Sequence, residues 1–175
     1  MNENESRRAR AILRGLTGQL CQTHIVEDRE PTPLALQFGA RSRRRRSCFV
    51  DSFIPEFRFV LGLNCAWRLE KCGRVGCTCD DTGSRRAERL AQLDELKGLR
   101  VVRVELAGPA GDLTVELERE TVLRSFCCIR RGQPGKIWDY YYIDDSVHRT
   151  VAFSVGPRGG IDFDWSGERL PEMAP

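Results

Sequence analysis

Three landmarks of this chain recur in the same order. Leu16-Thr17-Gly18, Pro33-Leu34-Ala35-Leu36-Gln37-Phe38 and Trp67-Arg68-Leu69 are followed by Leu96-Lys97-Gly98, Asp112-Leu113-Thr114-Val115-Glu116-Leu117 and Trp138-Asp139-Tyr140. Such a pattern restricts the fold to a β-rich unit written twice. Gly18 and Gly98 lie 80 positions apart, the alternating strands 79 apart and the tryptophans 71 apart, so insertions separate the copies. Solenoids repeat every 20–50 residues or so, and this longer spacing implies a duplicated half-domain instead.

A chain of 175 residues is long enough for two such halves to share one core. Its 41% hydrophobic and 30% charged residues, with the tryptophans in alternating segments, are the composition of a folded protein. No apolar run approaches the roughly 20 residues of a membrane span. The charged stretch Met1–Arg14 lacks the apolar core of an export signal, so a cytoplasmic location is expected. There the eight cysteines would be reduced and would act mostly as small hydrophobes.

Hydrophobic periodicity gives the coarse elements. Ser6 caps a short helix that Gly15 ends, leaving residues 1–15 as an N-terminal extension. Gln19–Val26 and Leu34–Phe38 form a hairpin, and further strands are expected at Cys48–Phe53, Phe57–Leu61, Ala66–Glu70 and Arg74–Thr78. Residues 16–79 thus make the first β-rich half. In the linker 80–97, Ser84 is a candidate N-cap for a helix whose Ala87, Leu90, Ala91 and Leu93 share a face. Strands at Val102–Leu106, Leu113–Leu117, Thr121–Cys128, Lys136–Ile143, Thr150–Val155 and Ile161–Trp165 build the second half, 98–165, and 166–175 is a tail. The expected class is α+β, predominantly antiparallel, with two related halves joined by one amphipathic helix.

No pattern of catalytic residues emerges. His24 and His148 are the only histidines, and neither lies beside a Ser or Cys nucleophile with an orienting third group. No nucleophile elbow, phosphate-binding glycine loop or zinc-protease helix is present. Cys65, Cys72, Cys77 and Cys79 offer thiolate ligands for a structural zinc, but the spacing contains no C-x2-C knuckle. No cofactor is therefore expected.

Three groups of side chains suit recognition. Arg43, Arg44, Arg45 and Arg46 concentrate positive charge that would contact phosphates or an acidic protein, although the net charge is only +3. Trp138, Tyr140 and Tyr142 fall on one side of an alternating strand, and such residues anchor interfaces by pairing apolar area with a polar tip. Asp162 and Asp164 alternate with Ile161, Phe163 and Trp165, which suits a wet strand face, a basic partner or, in a metal-dependent hydrolase, a divalent ion.

The Leu-x-Gly at a strand entrance, the strand Asp112–Leu117 and a later Trp followed by a polar residue resemble small bacterial proteins that include immunity proteins of polymorphic-toxin systems. The resemblance spans residues 15 to 165. It implies a non-catalytic protein that blocks a cognate toxin or joins a defence complex by binding. The shared motifs mark strands, so no contact residue is carried over from that family. The competing expectation is a nucleic-acid-binding accessory subunit using the arginine run.

Overall fold

The computed structural model describes residues 11, 13–26, 33–41, 57–107, 112–126, 140–145, 149–155 and 161–166. Its architecture is mostly antiparallel β, organised around two glycines. Helical residues 13–16 run through Gly15 and end before Gly18, not at Gly15 as the sequence suggests. Gly18 and Gly98 take φ of 83° and 82°, a left-handed conformation that only glycine adopts cheaply at a helix C-terminus. Each redirects the chain from a helix into a strand.

These strands are β1 (Cys21–Val26) and β6 (Val101–Ala107). Where they begin, they cross as an antiparallel pair around a bridge between Leu20 and Arg100. Gly18 N–H donates to Val101 O at 2.8 Å, and Gly98 N–H donates to Cys21 O at 2.8 Å. Val101 N–H donates to Gln19 O at 2.9 Å, and Cys21 N–H to Leu99 O at 2.8 Å. Adding 80 to each residue of the first half turns one member of each couple into the other.

The correspondence continues outward. Leu13 and Leu16 match Leu93 and Leu96, all at most 2% exposed. β1 pairs with β2 (Leu34–Arg41) through a bulge between Cys21 and Thr23; β6 pairs with β7 (Asp112–Leu117) through a bulge between Val101 and Arg103. Leu34, Leu36 and Phe38 of β2 face the core as Leu113, Val115 and Leu117 of β7 do. The next strands are β3 (Phe57–Asn64) and β8 (Thr121–Phe126), each antiparallel to the strand before it. Residues 42–56 join β2 to β3, whereas residues 118–120 suffice between β7 and β8.

The strands that follow do not stay with their own half. β4 (Ala66–Lys71) and β5 (Arg74–Thr78) form a hairpin, but β4 pairs with β8 and not with β3. β9 (Tyr140–Asp145) pairs with β3, and β10 (Arg149–Val155) and β11 (Ile161–Ser166) extend that sheet. The result is a six-stranded sheet ordered β1-β2-β3-β9-β10-β11 and a five-stranded sheet ordered β5-β4-β8-β7-β6. Residues 16–79 therefore do not close a sheet of their own: each sheet takes strands from both sides of the linker 80–97. Local alternation shows that a segment is a strand; it carries no information about which strand lies beside it.

One cluster of buried side chains joins the inner faces of both sheets, from Leu34, Phe59 and Leu61 on one to Trp67, Leu69 and Leu123 on the other. Each such residue contributes about 1.5–3 kcal/mol by leaving water. Register also corrects the pairing of the tryptophans. Trp67 sits opposite Ser125, and the matching position opposite Leu63 is Tyr141, so the structural counterpart of Trp67 is not Trp138.

Helix α1 (Arg86–Asp94) follows a single 3-10 turn, Gly83–Arg85, so Ser84 lies inside that turn and caps nothing. Its buried residues are Arg89 and Leu93, joined by Leu96 beyond its end, while Ala87 and Ala91 are exposed. Of the expected face, Leu93 points inward and Leu90 is half-buried, whereas the place of Ala87 and Ala91 against the sheet is taken by Arg89. At the β4–β5 turn, Cys72 and Gly73 both have positive φ, the geometry that matches the twist of a two-residue hairpin. Cys72 N–H donates to Glu120 O at 3.0 Å, tying this turn to the neighbouring β7–β8 turn.

Candidate functional site

Tyr140 and Tyr142 on β9 and Asp162 and Asp164 on β11 lie two strands apart in the six-stranded sheet, with β10 between them. Backbone register sets them in adjacent rows. Asn64, Tyr140, Ser154 and Asp162 form one cross-strand row, and Gly62, Tyr142, Ala152 and Asp164 form the next. Residues directly opposite in a sheet share a face, so the four positions fall on one face of this sheet. Tyr141 and Ile143 take the alternate positions, opposite the buried Leu63 and Leu61. Within the patch's sheet, β3 contributes a buried Val60 and β2 a buried Gln37, opposite each other on the same face.

The other sequence candidates do not join this patch within the described residues. Arg41 is exposed at the end of β2, and Arg43, Arg44, Arg45, Arg46, Trp138 and the expected strand Cys48–Phe53 lie outside the described residues. His148 lies outside them too. Cys65, Cys77 and Cys79 are buried, while Cys72 is exposed at a hairpin tip. Burial pushes the Cys77 thiol up to about 12 and raises Cys79 as well, so without a metal both are protonated. Among the described residues no three His, Cys, Asp or Glu side chains converge to hold a metal ion.

Two polar arrangements were not singled out from sequence. On the outer face of the five-stranded sheet, Glu70 accepts from Arg68 Nε at 2.6 Å and from Arg124 Nε at 3.1 Å. Burial alone would raise its carboxyl, but the Arg124 and Arg68 hydrogen bonds outweigh that and hold it below its ordinary value. Arg124 also reaches Thr114 Oγ1 at 3.4 Å, and Arg68 stacks its guanidinium over the Phe126 ring, 5.0 Å from the centroid. The alternation of Arg68 and Glu70 with Trp67 and Leu69 predicts an outward face, yet the β4–β8 pairing that brings Arg124 alongside was not legible.

The second arrangement is a cavity of about 260 Å³ between β5 and the start of α1, lined by Val75, Gly76, Cys77, Asp81, Arg85, Glu88 and Arg89. Its charges are internally compensated. Asp81 accepts from Thr78 N–H at 2.7 Å and from Arg85 at 3.3 Å, which overcome burial and lower its carboxyl. The cavity presents Cys77 as a protonated thiol and no histidine, so it offers no activated nucleophile.

His24 on β1 faces the C-terminal end of α1. Its Nδ1 lies 3.7 Å from Asp94, whose carboxylate also pairs with Lys97 at 2.5 Å. Burial lowers the His24 pKa, Asp94 opposes that shift and Lys97 reinforces it, so the ring is neutral near pH 7. Among the described residues no helix is long and apolar enough to cross a membrane. Comparison of the chain with protein-family models, curated proteins and solved structures finds no match.

Proposed function

We propose that this chain is a non-catalytic, intracellular protein-binding protein of the immunity or defence-complex kind, and that the patch containing Tyr140, Tyr142, Asp162 and Asp164 is its contact surface. The observation that carries the reading is the register that sets these four residues in two adjacent cross-strand rows. Aromatic residues and carboxylates on one sheet face, two strands apart, suit a partner surface rich in Lys and Arg, which rings attract through their faces and carboxylates by charge. The same reading treats the chain as an α+β duplication. Its support is the set of crossing hydrogen bonds, bulges and left-handed glycines that repeat 80 positions apart.

The test begins with affinity purification from the native host, and the recovered partner is then titrated in purified form. Tyr140→Ala combined with Asp162→Ala is expected to weaken binding by roughly tenfold or more, the loss typical of a central contact. Replacing Arg43–Arg46 with Ala is expected to change the affinity far less. Unchanged partner affinity in the Tyr140/Asp162 variant refutes the assigned surface. Salt-sensitive nucleic-acid binding lost only in the arginine variant replaces the whole reading with the accessory-subunit alternative. Divalent-ion-dependent turnover abolished by Asp162→Asn replaces it with the hydrolase alternative.

A further inference from the structure

We infer that the molecule is a reciprocally exchanged dimer written on one chain, whose two internal seams form an assembly surface that a second copy of this chain fits. Hydrogen-bonded topology alone shows the exchange, whatever the outer partner. Residues 13–78 give β1, β2 and β3 to the six-stranded sheet and then send the β4–β5 hairpin to the other sheet. Residues 86–155 give β6, β7 and β8 to the five-stranded sheet and send β9–β10 back. Each half therefore lends a hairpin and receives one.

The two seams are equivalent. β3 meets β9 from Phe59 opposite Asp145 to Asn64 opposite Tyr140, and β8 meets β4 from Thr121 opposite Lys71 to Phe126 opposite Ala66. With Phe59 matched to Thr121 and Leu63 to Ser125, each as the cross-strand partner of a matched β2 or β7 residue, the seam partners Asp145 and Tyr141 match Lys71 and Trp67. Both differ by 74 positions, and so do the next partners, Val151 opposite Ile143 and Cys77 opposite Leu69. The exchange thus keeps one register across three strands as far as Leu69 and Ile143, beyond which a bulge between Leu69 and Glu70 shifts the β4–β5 pairing with no counterpart in β9–β10.

Neither half has an obvious stable form alone. Without the second half, β3 exposes an unpaired edge and the β4–β5 hairpin loses its sheet; an isolated two-stranded hairpin is marginal in water. Trp67 and Leu69, now 1% and 0% exposed, would lose the β8 side of their cover. The halves are joined through residues 79–85, of which Asp80, Thr82, Gly83, Ser84 and Arg85 are exposed. A hairpin of the same sequence from another copy satisfies the seam identically, which is the condition for domain exchange.

The test inserts a specific protease site between Thr82 and Gly83 in the full chain and cuts the folded protein. The two pieces are expected to co-elute at the mass of the intact chain and to unfold in one transition. After unfolding in urea, refolding with an uncut, differently tagged full chain is expected to yield particles containing a piece of one and the whole of the other. Separation of the pieces under native conditions into two folded species, each with its own transition, overturns the inference. Where the site resists cutting, amide exchange on the intact chain decides: β3, β4, β8 and β9 opening as one unit supports the seams, and β1–β5 opening apart from β6–β10 overturns them. None of these readouts involves the proposed external partner, so either reading can fail without the other.

Discussion

Replacing Gly18 or Gly98 with alanine tests the most specific structural claim, that the two sites are mechanically the same. A Cβ built on either glycine meets nothing within 4 Å, so crowding contributes nothing. What remains is backbone conformation: φ is 83° at Gly18 and 82° at Gly98. Holding an L-residue there costs about 1–2 kcal/mol. Alanine also reduces the freedom of the unfolded chain, which returns about 0.4–1 kcal/mol. Each variant is therefore expected to lose about 1 kcal/mol, a fall in Tm of roughly 2–4 °C for a domain of this size. Gly39 is a control with the same φ: its Cβ would lie 2.7 Å from Gln19 Oε1, the far end of a flexible side chain that can turn aside, so Gly39→Ala should cost a similar amount. Urea unfolding monitored by tryptophan fluorescence gives the three values. A neutral or stabilising result at Gly18 or Gly98, or losses differing by more than about 1 kcal/mol, a gap as large as the whole expected cost, refutes the equivalence.

Other outcomes follow from buried polar and thiol groups. Among the described residues the buried Ser125 hydroxyl has no hydrogen-bond partner, so Ser125→Ala is expected to leave stability unchanged or raise it by about 1 kcal/mol in urea unfolding. Leu93→Ala removes a side chain of 0% exposure and is expected to cost about 2–5 kcal/mol by the same measurement. Brief alkylation of the native protein followed by peptide mass spectrometry should label Cys72, while Cys21 and Cys77, buried and pushed up to about 12, should react only after unfolding. The folded state holds His24 below its ordinary value, so between that lowered pKa and pH 6.5 the unfolded chain binds the extra proton. Stability should consequently fall as pH drops through that window, and His24→Gln should flatten this part of the profile in urea melts.

Strand identity was largely legible because alternation is a local property. Leu34, Leu36 and Phe38, or Leu113, Val115 and Leu117, point to one face by their spacing alone, and both sets are buried. The glycines were legible as landmarks, and their left-handed conformation explains why each helix-to-strand bend carries one. Arg89 was missed because its charge argued for the solvent side, yet it is 1% exposed beside Leu93. Ser84 was misread because a short polar residue before an apolar run suggests a cap, whereas the chain makes an extra 3-10 turn there. The rows that gather Tyr140 with Asp162 needed the register of β9, β10 and β11, which depends on turns between them and on no single residue.

Under the inferred exchange, the hairpins account for a repeat that is cleaner at its start than at its end. From Leu13 to Phe38 the two copies keep an offset of 80 or 79, because these residues meet their own counterparts at the β1–β6 crossing or pack directly against it. A substitution there must suit two equivalent contacts at once. Beyond β2 each strand meets a different neighbour: Leu63 and Phe59 face β9, while their counterparts Ser125 and Thr121 face β4. Those positions are free to diverge in pairs across a seam, and Ser125 opposite Trp67 answers Leu63 opposite Tyr141, a small residue against the largest side chain and a large one against a smaller ring. Compensation of this kind predicts coupling. Trp67→Tyr and Ser125→Leu, each destabilising alone, should together lose less than the sum in a double-mutant cycle, and strict additivity would remove the claim that the seam conserves volume across its strands.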